Sequence, residues 1–322
     1  NNDSYLRSAV EKWLEKWSAE QEIDIYTAGL KIYTTIDSRM QKIAEDVSHE
    51  HMKELQRRLD NTYRESLPWR DKSGAVIPEF LEKQARKLPL YESLKKELQD
   101  EKLVFEALNK PKKMRVFTWD GEQDVEMSTM DSLKHYVSML NTGMMAMDPY
   151  SGNIKVWVGG INHQHYKFDH VNQAKRQAGS TFKPFAYLAA LESGMAPCDT
   201  YEDKPVSITF INKKGEEEIW EPKNADWSFS HRVMSLRWAM ARSLNTITAQ
   251  ITRDVGWDKV VETAHRVGIE SPLLSVPSVG LGSNDVSVFE MVRAYGTFMN
   301  TGKRVEPILV SKIYDSNGKL IA

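Results

Sequence analysis

Leu6, Val10, Trp13, Leu14 and Trp17 recur at helical spacing and form one apolar stripe, which predicts a helix over 4–20. After Gly29 the pattern changes to alternation, and LKIYTTI (30–36) predicts a strand. Asp37 then caps a helix whose apolar face is Met40, Ile43, Ala44 and Val47. Beyond Ser48 that face thins into HEHMKELQRRLDN, a run expected to be solvated. Residues 49–130 are richer in charge. Within them EFLEKQARK and DEKLVFEALNK predict short helices, and Asp120-Gly121 predicts a hairpin with a type I′ turn. Residues 130–140 return to helical spacing and stop at Gly143, and a second hairpin follows in MMAMD, PYSG and NIKVWVGG.

The stretch 172–194, NQAKRQAGSTFKPFAYLAALESG, organises the rest. A polar, basic loop meets Gly179, and Ser180 opens an apolar, alanine-rich helix. Pro184 fits only within a first helical turn, so the helix must start near Gly179–Ser180, and Gly194 suits its end. Further on, VSITFIN, a Lys-Lys-Gly turn and EIW predict another hairpin. Residues 235–256 read as two helices meeting near Ser243-Leu244-Asn245. VGWDKVVETAHRVG predicts a helix, with His265 structural. Ser287-Val288-Phe289-Glu290 is a capping box opening a helix that ends at Gly302. The last residues predict a strand, an Asn-Gly turn and the start of a returning strand.

Composition narrows the class only a little. The chain has 322 residues, 41% of them hydrophobic, enough for a sizeable core in one domain or two. A net charge of −2 gives no general reason to expect nucleic acid. The single cysteine, Cys198, excludes an internal disulfide but does not settle the compartment. No apolar run approaches the length of a membrane span, and the first residues contain no signal-peptide core. His163 and His165 would face one way if extended, as metal ligands can. The simpler reading is a polar loop, so no metal and no cofactor are assigned.

Chemistry enters with Ser180 and Lys183, three residues apart and on one helical face. A serine hydroxyl is a weak nucleophile until a base takes its proton, and a buried lysine can be that base. The field of a helix N-terminus favours a developing oxyanion. Spacing alone is weak evidence, since Ser93/Lys96 and Ser316/Lys319 share it without a glycine entry or an apolar helix behind them. By spacing alone, Ser180 reads as an ordinary helix cap.

AMDPYSGNIKVWVGG, KRQAGSTFKPF, SLNT (243–246) and SVFEMVRAYGTFMNTG, in this order and at these intervals, resemble the transpeptidase module of class A penicillin-binding proteins. The resemblance implies an α+β fold of the penicillin-binding-protein/β-lactamase type, an antiparallel sheet flanked by helices. It divides the chain into a linker helix (1–28), an N-terminal part (29–142) carrying an accessory insertion (about 49–130), and a transpeptidase core (143–322). It also implies roles. Ser180 is acylated by the D-Ala-D-Ala end of a peptidoglycan stem peptide or by a β-lactam, and Lys183 removes its proton. Ser243 relays a proton to the leaving amine, and Asn245 holds the peptide backbone. Trp220 and Asn224, in WEPKNADW, fall where the family lines its substrate groove. The Ser180 amide provides half of an oxyanion hole.

After Ser243-Leu244-Asn245, where the family carries its third motif, no Lys-Thr/Ser-Gly occurs; Thr301-Gly302-Lys303 has the letters in another order. The resemblance therefore implies a stretch cut before that motif, with an anchor and a glycosyltransferase module upstream, at the outer face of a bacterial inner membrane. It also implies a sheet that is unfinished at its C-terminal end and little acylation by this stretch alone. A serine β-lactamase, a β-lactam sensor domain and an unreactive scaffold are the competing readings.

Overall fold

Ser4 accepts a hydrogen bond from the Arg7 amide and caps helix α1 (Tyr5–Gln21), close to the predicted bounds. The structure is a computed structural model and describes residues 4–64, 66–71 and 73–322. It separates into two units, one made of the described residues up to Gln41 with Gly143–His163 and Lys167–Ala322, the other of Lys42–Thr142 and Gln164–Tyr166.

In the first unit, Tyr5 and Ala9 of α1 pack with Met145, Ile154, Trp157, Val171 and Leu309, and Leu14 packs with Val310 and Ile313. A Cβ on Gly159 would meet the Tyr5 side chain at 2.6 Å, so glycine lets the helix lie directly on this strand end. The strand Lys31–Thr34 pairs with Val310–Tyr314, and Met144–Met147 pairs with Ile154–Val158. The Thr35 hydroxyl lies 2.8 Å from the Ile154 carbonyl and 2.6 Å from that of Ile308, tying these pairs together. The expected α+β layering is present, and all six pairings among the described strands are antiparallel and two-stranded.

Helix α2 (Ser38–Thr62) begins as expected, with Asp37 accepting from the Met40 amide, but of its predicted face only Ala44 is buried. Met40, Ile43 and Val47 are exposed, whereas Gln41, Ala44, Met52 and Gln56 are buried. Hydropathy missed the stripe because two of its members are amides with fixed partners. Gln41 bonds both the N–H and the C=O of Trp157, as a neighbouring strand would, and Gln56 bonds Ser138 and Leu140. The helix also runs to Thr62, past the point where the apolar pattern fades.

The second unit adds α3 (Phe80–Ala85), α4 (Pro89–Leu98), α5 (Glu101–Leu108) and α6 (Thr129–Ser138) around Ala85, Tyr91, Val104 and Leu108. Its hairpin Lys112–Thr118/Gly121–Met127 is present, but Trp119 and Asp120 make the turn. Neither has a positive φ; Gly121, at +109°, opens the returning strand. The turn is therefore not type I′, which needs a positive φ at both central residues.

Back in the first unit, Gly179–Phe182 is a 3-10 turn leading into α7 (Lys183–Glu192), with Pro184 in its first turn. Helix α7 is covered on two sides. Phe185, Ala186 and Ala189 pack with Val260, Ala264, Val279 and Ala294, while Tyr187 and Ala190 pack with Leu236, Ala239, Ile247 and Ile251. Its neighbours are α8 (Leu236–Ala241), α9 (Asn245–Val255), α10 (Trp257–Val267) and α11 (Val288–Met299), the last opened by the predicted Ser287/Glu290 box. Alanines let so many helices approach one axis, and apolarity all round marks a buried helix.

The entry to α7 is fixed by backbone. Arg176–Gln177 pairs with Asp285–Val286, and the Gly179 amide donates to the Gly282 carbonyl at 3.0 Å. Gly179 has φ +58°, and a Cβ on Gly282 would sit 2.2 Å from the Gly179 oxygen. Gly282→Ala should therefore destabilise the fold by about 1–3 kcal/mol, the usual cost of forcing an extra methyl into close packing. Denaturant unfolding of the variant checks this; a midpoint equal to wild type would show that the two backbones are not locked together.

Candidate active site

Lys183 is the first residue of α7 and only 2% exposed. A buried ammonium must find oxygen acceptors, and it has three. Its Nζ lies 2.5 Å from the Ser243 carbonyl, 3.0 Å from Ser243 Oγ and 2.7 Å from Asn245 Oδ1. Burial pushes the group down to about 8. Ser180 lies one turn earlier, exposed, and its carbonyl accepts the Lys183 amide. The amine thus reaches the Ser180 hydroxyl only by releasing one of its present partners.

Helices α8 and α9 present those partners through a tight junction. The Leu244 amide bonds the Ala239 carbonyl at 3.1 Å and the Ser243 amide bonds Met240 at 2.9 Å, which is the Schellman pattern closing α8. Its left-handed position, usually glycine, is taken by Ser243 at φ +54°. A strained non-glycine residue at this point is where a side chain is wanted for something other than folding. Asn245 then opens α9. Its Nδ2 donates to the Lys223 carbonyl at 2.8 Å, which fixes the amide so that Oδ1 faces Lys183.

The structure brings Lys183, Ser243 and Asn245 into contact, with Ser180 in the adjoining turn. Trp220 lines an open cleft of about 500 Å³ with Pro222, Lys223, Asn224, Trp227 and Leu281. Trp227 is 73% exposed at φ +61°, and Lys223 Nζ lies 4.8 Å from its ring centroid. Asn224 borders the cleft, but its side chain faces inward. Nδ2 bonds Asp203 and the Ser228 carbonyl, and Oδ1 accepts from the Asn245 and Thr246 amides.

Sequence reasoning missed Asp203 and Gly282. Asp203 has partners 21 to 43 residues away, so no local pattern marks it. Gly282 left a faint signal in Gly280-Leu281-Gly282, a doubling that suggests close backbone approach. His163 bonds Ser8 at 3.2 Å, while His165 meets Tyr136 at 3.0 Å and Glu122 at 2.9 Å.

Residues 142–320 match the family described as penicillin binding protein transpeptidase domain, and residues 64–140 match the penicillin-binding protein middle domain. Penicillin-binding protein 1A of Rickettsia felis is 31% identical over 337 aligned residues, covering 99% of this chain and 42% of that protein. Penicillin-binding protein 2D of Bacillus subtilis is 35% identical over 184 residues, covering 57% of this chain and 26% of that protein. The crystal structure of penicillin-binding protein 1A from Haemophilus influenzae superposes with a TM-score of 0.66 at 24% identity, over 97% of this chain and 49% of that one, and so shows the fold. The chain belongs to the penicillin-binding protein transpeptidase family. It spans about two-fifths of the length of the Rickettsia relative.

The strain at Ser243 yields a prediction. Ser243→Gly removes the left-handed penalty of about 1–2 kcal/mol, offset in part by a floppier unfolded chain. The variant also loses Ser243 Oγ, one of the three acceptors of the buried ammonium, at a cost of about 1–3 kcal/mol, so the two effects should cancel to within about 1 kcal/mol. A clear loss on denaturant unfolding would mean that the hydroxyl, not the backbone, secures this junction.

Proposed function

We propose that the chain carries the peptidoglycan D,D-transpeptidase reaction: acyl transfer from D-Ala-D-Ala stem peptides, with Ser180 as nucleophile and Lys183 as its base. The observation that carries it is the Lys183 ammonium, buried, lowered to about 8 and held by Ser243 and Asn245. Two of its three acceptors are carbonyl-type oxygens that can only accept. When Lys183 is neutral they can hold its two hydrogens, leaving the lone pair for a hydroxyl. Ser180 gives its proton to that lone pair as Oγ attacks the carbonyl between the two D-alanines. Ser243 Oγ can turn from acceptor to donor, so it passes a proton on to the departing amine. An acceptor amine then attacks the acyl-enzyme, the Ser180 oxygen leaves and regains its proton through Lys183, and a cross-link forms. A β-lactam acylates the same serine.

Exposed Trp227, Trp220 and the Lys223 backbone suit a groove for an extended peptide, with Asn245 at its edge. Asn224 contributes to that groove from behind, by holding Asn245. The reading also places the enzyme at the outer face of the bacterial inner membrane, in the periplasm, within a longer protein carrying an anchor and a glycosyltransferase module. Among the described residues no helix is long and apolar enough to cross a membrane. The domain division we propose is a linker helix (1–28), an N-terminal part with an accessory insertion (29–142) and a catalytic core (143–322). The match of 64–140 to a middle domain supports a distinct central part.

The neutral amine is the active form, and its fraction grows as pH rises through the lysine pKa. Acylation by a fluorescent penicillin, measured on the protein as encoded in full, should rise with pH up to about 8 and level off above it. Lys183→Arg keeps a charge that cannot be removed at these pH values, so acylation should fall at least about a thousandfold while the fold persists. A flat pH profile, or an arginine variant within about tenfold of wild type, would reduce Lys183 to an electrostatic neighbour.

A further inference from the structure

Helix α9 begins with Asn245, and its N-cap residue Leu244 has no side-chain acceptor to offer the first free amides. The cap comes from elsewhere. Asn224 Oδ1 accepts the Asn245 amide at 3.0 Å and the Thr246 amide at 3.3 Å. Asn224 is in turn held through its other end, where Nδ2 donates to Asp203 Oδ1 at 2.8 Å and to the Ser228 carbonyl at 3.0 Å.

Asp203 is 2% exposed, and both its oxygens are doubly bonded to donors. Oδ1 accepts from Asn224 and from Thr246 Oγ1 at 2.7 Å; Oδ2 accepts from the Ser230 amide at 2.8 Å and the Ser230 hydroxyl at 2.7 Å. Burial would raise its carboxyl, but the bonds from Thr246, Ser230 and Asn224 outweigh that and hold it below the usual range. The anion also lies at the positive end of α9. A continuous path therefore runs from the Asp203 carboxylate through the Asn224 amide to the first residue of α9, whose Oδ1 lies 2.7 Å from Lys183 Nζ.

We infer that Asp203 is a positioning residue for the acyl transfer: through Asn224 it caps α9 in trans and thereby sets where Asn245 and Ser243 hold the amine of Lys183. This rests on the reading of Ser180 and Lys183 as nucleophile and base. An amide cannot replace the carboxylate. Four donors converge on Asp203, and the NH₂ of an asparagine would oppose either the Asn224 amide or the Ser230 amide. Exchanging the two residues restores the link between 203 and 224 and the cap of α9, but it sets a carboxylate oxygen against the Ser228 carbonyl. In Asp203→Asn with Asn224→Asp, the new amide at 203 donates to the new carboxylate at 224, which still accepts the two helix amides.

The test uses the full protein and a fluorescent penicillin, with acylation resolved into non-covalent affinity and rate of acyl transfer. Wild-type label on Ser180 is the control for the underlying reading; absence of that label would sink both. Given the control, Asp203→Asn should slow acyl transfer about tenfold to a hundredfold with affinity changed less than about threefold, because the groove is left in place. The exchanged pair should recover part of the lost rate, because it restores the 203–224 link but not the bond to the Ser228 carbonyl. Thr246→Val, which deletes one donor but leaves the path to Asn245, should keep the rate within about threefold and guards against reading a folding defect as a positional one. A rate loss in Asp203→Asn that tracks lowered thermal stability and is not recovered by the exchange would overturn the inference, as would a wild-type rate in Asp203→Asn.

Discussion

A charged amine buried at the start of a helix dictates the design of the first unit. Desolvating the Lys183 ammonium is costly, and only well-placed oxygens make it tolerable. Those oxygens come from one short junction, Ser243 to Asn245, on the far side of a sixty-residue excursion in sequence. Everything that fixes the distance between α7 and α9 therefore acts on the amine. The packing of Tyr187 and Ala190 against Ile247 and Ile251 sets the approach of the helices. The left-handed Ser243 sets the turn, and the Asn224 amide sets the first residue of α9. Two opposing influences then act on one proton. Burial favours the neutral amine, while three acceptors favour the ammonium, and a lysine balanced near 8 can serve as a base close to neutral pH.

Ser180, the proposed nucleophile, is placed by different means. Ser180 is exposed and lies in a 3-10 turn whose position comes from backbone against backbone, Gly179 on Gly282. Side-chain packing would let such a turn drift; a direct N–H to C=O bond between two glycines leaves little room to do so. Rigid support behind an open serine suits the proposed acyl transfer, since a large peptide must reach the oxygen from solvent.

Much of this was legible in the residues. Helices with apolar stripes, the capping box at Ser287, and the glycine-serine entry to an alanine-rich helix all carry local signals, because caps and periodicity act within a turn or two. What stayed hidden was long-range or polar. The buried face of α2 is marked by glutamines, which hydropathy counts as surface. The Asp120-Gly121 hairpin formed with its turn one residue earlier, its glycine opening the returning strand instead of sitting in the turn. Asp203 looks like any surface aspartate until the fold brings Asn224, Ser230 and Thr246 to it. The resemblance puts Asn224 in the groove; it borders the cleft, but its side chain turns inward to a helix end that sequence could not bring near.

The central claim is that one serine, made reactive by the lysine one turn later, carries the acyl group. Peptide mapping by mass spectrometry of the full protein after reaction with penicillin tests it most directly. The account predicts a single labelled peptide with the adduct on Ser180, and no label once Ser180→Ala is introduced. An adduct on Ser243, on Ser93 or on any other serine, or one that survives Ser180→Ala, would contradict it.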